Sequence, residues 1–194
     1  MKNKLKKIDY NSPVVLSFVI ISFISLILGY ITNGYTTQTF FCVYRSSLLN
    51  PLTYLRLFTY VLGHANLSHF VGNMTLFLVI GPMLEEKYGS RNLLIMFAIT
   101  ALVTALLELI IFPSGGLVGA SGIVFMMIIL SSVTSVKDGT IPLTMILVAF
   151  FYLGDQIITG LFTADNVSQS AHILGGIMGG IFGFYPVGGR KRSK

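Results

Sequence analysis

The chain has 194 residues, 54% of them hydrophobic and only 10% charged. A soluble domain carries about 25% charged residues, so this composition excludes one and indicates a polytopic membrane protein. The single cysteine, Cys42, excludes an intramolecular disulfide framework, and the net charge of +6 sits on flanks that set membrane topology rather than on a nucleic-acid surface.

In chain order, Lys2, Lys4, Lys6 and Lys7 form a basic flank over residues 1–12. The first predicted span covers residues 14–31 and is entered through Pro13. Further spans follow it, so it reads as a retained helix and not a cleaved signal peptide. Residues 33–66 are too polar at first to cross a bilayer and too apolar later to be a plain solvated loop. They read as a partly buried loop lying on the membrane surface. The second span, residues 67–84, stops at Glu85-Glu86-Lys87, with a turn at Gly89 and Ser90. The third, residues 93–112, ends at Pro113. Gly115 and Gly116 lead into the fourth, residues 121–136. Lys137-Asp138-Gly139 turns the chain into the fifth span, residues 141–158. A polar stretch, residues 163–170, leads to the sixth, residues 171–185, and a basic tail occupies residues 187–194. No repeat and no second domain is evident, so residues 1–194 read as one membrane domain.

The distribution of positive charge tests this count. Six spans put both termini on one side, together with Lys87, Arg91, Lys137 and the basic flanks. Only Arg45 and Arg56 fall on the other side. The expected fold is therefore all-α, a six-helix polytopic bundle with both termini cytoplasmic, in the plasma membrane. Its even-numbered helices descend from the outer face.

Polar groups within a bilayer are costly and ask for a reason. At about 1.5 Å per residue, Ser121, His172, Asn73 and His69 stand roughly 20–27 Å above the cytoplasmic ends of three different helices. That is one shared layer, a little below the outer surface of a core about 30 Å thick. Each residue alone has a plain reading. A serine beside glycine is usually a packing residue, a histidine near a helix end is often only hydrogen-bonded, and an asparagine can bind helices together. His64, higher still, reads as a support for a wet loop.

Taken together they make a reaction centre. A hydroxyl nucleophile needs a base, and His172 supplies one to Ser121. A developing oxyanion needs preset donors. His69 and Asn73, four residues apart on one helix face, offer two, and the backbone N–H of Ser121 at a helix start offers a third. Asp155 and Asp165 lie on the outer side, but spacing ties neither to His172, so the reading is a Ser-His dyad. Gly175, Gly176, Gly179, Gly180 and Gly183 follow His172 as a stripe that lets a second helix approach. An approach by the fourth helix brings Ser121 within reach of His172. Three other readings stand beside this one: a binder without catalysis, a zinc hydrolase using His64, His69 and His172, and a small-solute transporter, against which the lack of an inverted repeat counts.

The chain resembles the rhomboid family of intramembrane serine proteases over nearly its whole length. The Gly-x-Ser-Gly motif corresponds to Gly119-Ala120-Ser121-Gly122. The His-x-x-x-Asn motif corresponds to His69 and Asn73, with His64 at a further upstream histidine position. The Ala-His-x-x-Gly-x-x-x-Gly motif corresponds to Ala171, His172, Gly175 and Gly179, and the family's acidic residue and glycine after the second helix to Glu85 and Gly89. The resemblance implies Ser121 as nucleophile, His172 as base, and His69, Asn73 and the Ser121 amide as the oxyanion hole. It implies transmembrane proteins as substrates and no cofactor or metal. Two positions depart from the family: its Trp-Arg pair is Leu55-Arg56 here, and the tyrosine that packs on the catalytic histidine is Phe125.

Overall fold

Proline at the first helical position and an apolar run without charge start the first helix, α1, at Pro13–Ile31 in a computed structural model. The structure describes residues 10–112, 114–133, 143–148, 150–151 and 169–185. The lysine and arginine flanks, most of the expected fifth span, and Asp155, Asp165, Asn166 and Ser168 lie outside the described residues. The described chain is mostly helical. Among the described residues three helices are long and apolar enough to cross a membrane: α1, α4 (Leu67–Tyr88) and α5 (Ser90–Ile111).

The segment between α1 and α4 has more structure than a surface loop. It holds two short helices, α2 (Tyr35–Phe40) and α3 (Pro51–Thr59), a strand β1 (Val43–Tyr44) and a 3-10 turn at Tyr60–Leu62. Asn50 caps α3 by accepting the Leu52 N–H, and Pro51 fills the first helical position. Arg56 then turns inward and is 4% exposed. Its Nε donates to the Thr39 carbonyl at 2.8 Å, and its guanidinium lies 4.4 Å from the centre of the Tyr44 ring. A desolvated cation on a ring is worth about 2 kcal/mol, so one arginine gathers α2, β1 and α3. Leu55, its neighbour, points outward and is exposed.

The α4–α5 turn is tight because Gly89 adopts φ +81°, a conformation that side chains rarely allow. Just before it, the Glu85 carboxylate accepts the N–H groups of Val14 and Val15 at 2.9 and 3.0 Å and the Ser90 hydroxyl at 2.7 Å. Helix starts leave unsatisfied N–H groups and a positive end. Glu85 satisfies both for α1 and locks α4 to it. Higher up, Phe18 stacks on Phe77 with centroids 4.4 Å apart, and Phe97 meets Phe77 edge-on at 5.2 Å.

The centre belongs to α6 (Ser121–Val133), in which every residue from Gly122 to Leu130 is buried. A helix apolar on all sides belongs inside a bundle. A two-residue strand β2 (Gly116–Leu117) precedes it and pairs antiparallel with β1, Val43 opposite Leu117 and Tyr44 opposite Gly116. The remaining described helices are α7 (Leu143–Val148) and α8 (Gln169–Phe184), the latter packed along α6.

Candidate active site

The start of α6 is held from two sides. The Gly119 N–H donates to the Tyr60 carbonyl at 3.0 Å, which ties the turn to the 3-10 segment. Gly119 has φ +125°, and a Cβ there would stand 2.6 Å from Cε1 and 2.9 Å from Nε2 of His69. Only glycine allows both the backbone conformation and this contact. Helical bonding begins as Val124 N–H donates to the Ala120 carbonyl at 3.0 Å. Ser121 thus lies in the first turn, half-buried, where backbone N–H groups lack helical partners.

His69 and Asn73 rise from the first turns of α4. Asn66 caps that helix by accepting the His69 N–H at 2.8 Å, which sets where the helix begins and so which way both side chains face. Asn73 is 7% exposed, and its Nδ2 has no hydrogen-bond partner among the described residues. A buried unsatisfied donor costs about 1–3 kcal/mol, so its retention calls for an acceptor that arrives from elsewhere. His64 is buried in the loop ahead of α4, edge-on to His69 with centroids 5.2 Å apart. Burial, then its neighbour His69, pushes the His64 imidazole down to about 4.

α8 brings the fourth group. A Cβ on Gly175 would fall on the Gly122 carbonyl oxygen, one on Gly179 on the Met126 carbonyl oxygen, and one on Gly183 on the Val133 side chain. A Cβ on Gly122 would in turn stand 3.3 Å from the Ala171 carbonyl oxygen. The two backbones therefore touch at Gly122 and Ala171, the residues next to Ser121 and His172. The Phe125 ring, one turn along α6 from Ser121, lies flat on the His172 imidazole with centroids 4.4 Å apart and planes 9° apart. The expected five-glycine stripe is narrower than the sequence suggests. Gly180 faces open space, because eight residues of helix carry it off the face that His172 shares with Gly175, Gly179 and Gly183.

Glu85, by contrast, lies at the far end of α4 and acts on α1. Sequence reasoning missed Glu108, a carboxylate within the third span that is 8% exposed. The Ser170 hydroxyl, two residues before His172, donates to Glu108 Oε2 at 2.7 Å. The cost of an ionisable group inside a span is the signal that could have found it. Among the described residues no three histidine, cysteine, aspartate or glutamate side chains gather closely enough to hold a metal ion.

A half-buried serine at a helix start, a histidine held by glycine packing and ring stacking, and polar side chains on a neighbouring helix thus come from three helices, α6, α8 and α4. The chain belongs to the rhomboid family, whose domain matches residues 51–188, and it is an integral membrane protein. It is 29% identical over 158 residues to Rhomboid-related protein 2 of Mus musculus, covering 71% of this chain and 52% of the mouse protein. It is 30% identical over 138 residues to Rhomboid-related protein 1 of Caenorhabditis elegans, covering 66% of this chain and 39% of that protein. A third relative, Rhomboid-like protein 11, chloroplastic, of Arabidopsis thaliana, is 25% identical over 123 residues, 63% of this chain and 40% of the relative. The chain thus spans about half or less of the length of these relatives.

Proposed function

We propose that this chain is an intramembrane serine protease that cuts single-pass membrane proteins near the outer face of the plasma membrane. In this reading six helices cross the bilayer and both termini are cytoplasmic. Ser121 Oγ attacks the scissile carbonyl carbon while His172 takes the serine proton. The carbonyl oxygen becomes an oxyanion, met by donors from His69, Asn73 and the Ser121 amide. The C–N bond then breaks, the amine leaves with the proton held by His172, and an acyl-serine remains. Water, deprotonated by the same histidine, hydrolyses it.

The observation that carries this reading is the buried Asn73 Nδ2, which lacks an acceptor among the described residues while His69, on the same helix, touches the turn before Ser121. An oxyanion is the acceptor such a donor lacks. One further observation supports it. A cavity of about 420 Å³ is lined in part by Asn33, Gln38, His64 and Val118, the residue before Gly119, and in this reading water approaches the serine from that side.

A substrate helix cannot present a carbonyl while its own hydrogen bonds are intact. Substrates are therefore expected to carry glycine or proline near the outer end of the span and a small residue before the cut. Gln169 and Ser170, just ahead of His172, are proposed to line the mouth of the site.

The test is incubation of purified protein with a single-span substrate, comparing wild type, Ser121→Ala and His172→Ala, with fluorophosphonate labelling in parallel. Cleavage and labelling that vanish in Ser121→Ala support the reading. A wild type that neither cuts nor labels would make the chain a rhomboid-fold binder instead.

A further inference from the structure

Along the α6–α8 contact Gly175 and Gly179 meet backbone, Gly183 meets the Val133 side chain, and the Phe125 ring stacks on His172. Such a face sets how closely two helices lie and which sides meet. At its glycine positions α8 has no side chain of its own to stop it from shifting along α6. His172 is the fourth described residue of α8, so its height relative to Ser121 depends on how the residues just before it are held.

The holding group is on a third helix. Ser170 donates to Glu108 Oε2 at 2.7 Å across 62 residues of sequence, and both residues are largely shielded from solvent. A hydrogen bond to a carboxylate is shorter and stronger than one between neutral groups. Glu108 is itself well anchored. One residue further along α5, the Leu109 carbonyl accepts the Arg45 Nε–H at 2.9 Å, and two turns back the Ala101 carbonyl accepts the Tyr60 hydroxyl at 3.1 Å. Tyr60 is also the residue whose carbonyl holds Gly119. The start of α6 and the Ser170 position of α8 are thus referenced to one framework, the outer half of α5.

The geometry points to Glu108 as a positioning residue. By holding Ser170 it fixes the axial position and orientation of His172 against Ser121. The inference rests on the protease reading above and goes beyond it by giving the dyad a fixed reference on α5.

The experiment uses the full chain in lipid bicelles and compares wild type, Ser170→Ala, Glu108→Gln and Glu108→Leu. Two quantities are read: steady-state cleavage of a single-span substrate, and the ring ¹⁵N resonances of His172, assigned with a His172→Asn control. Ser170→Ala and Glu108→Leu are expected to lower kcat by about tenfold or more with KM unchanged, since small misplacements of reacting groups cost rate. Both are expected to shift the His172 resonances. Glu108→Gln, whose amide oxygen still accepts the Ser170 hydroxyl, is expected to restore wild-type resonances and most of kcat. Unshifted resonances with unchanged kcat in Ser170→Ala overturn the proposal. So does a loss in Glu108→Gln equal to that in Glu108→Leu, because the retained acceptor is then irrelevant. A wild type no more active than Ser121→Ala overturns the protease reading instead, and the resonances then decide the positioning role without turnover.

Discussion

The Phe125 ring lies flat on the His172 imidazole, centroids 4.4 Å apart and planes 9° apart, one turn along α6 from Ser121. A ring is what this position needs, and the hydroxyl of a tyrosine adds nothing to the stacking itself. Such aromatic pairs contribute about 0.5–1.5 kcal/mol beyond their buried area. At about 1.4 kcal/mol per tenfold, Phe125→Leu should lower kcat by about 2- to 13-fold while Phe125→Tyr retains it. Cleavage assays on both variants check this, and a fully active Phe125→Leu would show that stacking does not orient the base.

Asn73 should trade stability for function. Its buried Nδ2 has no partner among the described residues. Asn73→Ala is therefore expected to leave the thermal midpoint unchanged or raised, as the unsatisfied donor is removed. The same change should lower turnover, by about 10²–10³ if Asn73 is a principal oxyanion donor and by less if His69 or water compensates. Destabilisation together with full activity would assign Asn73 to packing alone.

The glycines of α8 make a paired prediction. A Cβ on Gly179 would fall on the Met126 carbonyl oxygen, whereas one on Gly180 meets nothing within 4 Å. Gly179→Leu should force α8 from α6 and cost more than the 1–3 kcal/mol typical of overpacking, at about 3 kcal/mol or above. Gly180→Leu should fold and cut normally. Denaturation and cleavage of the two, measured side by side, decide the matter, and equal tolerance would mean that the contact face is drawn wrongly.

Glu85 is expected to matter for stability far from the chemistry. It accepts from Val14, Val15 and Ser90, joining α1 to the α4–α5 turn. Glu85→Ala leaves those donors without an acceptor and should lower stability by about 1–3 kcal/mol. Any activity loss should follow the folded fraction, read by thermal denaturation in detergent. A variant as stable as wild type would show that α1 is held by its apolar face alone.

His64 predicts a pH dependence. Its imidazole is pushed from 6.5 down to about 4, by burial first and by His69 second. Between those values the unfolded chain binds a proton that the folded chain refuses. The stability this contributes is present above about pH 6.5 and is lost as pH falls towards 4, on the order of 3 kcal/mol in all. Thermal midpoints should fall across that window in wild type and much less in His64→Phe. The same slope in both would place the titrating group elsewhere.

Where the membrane helices run could be read from residues alone. The predicted first, second and third spans agree with α1, α4 and α5 to within a few residues, because a bilayer demands a long uncharged run and such runs are visible one segment at a time. The candidate Ser121, His172, His69 and Asn73 were legible for the same reason, since a polar group at membrane depth stands out against its own helix. Which groups meet was not legible in that way. The pairing of Val43 with Leu117, the inward turn of Arg56, the reach of Glu85 to Val14, the hold of Glu108 on Ser170 and the turning away of Gly180 all depend on how helices rotate and shift against one another. One helix's sequence sets the depth of a side chain, but its partner is chosen only when several helices pack, and that choice belongs to the tertiary structure.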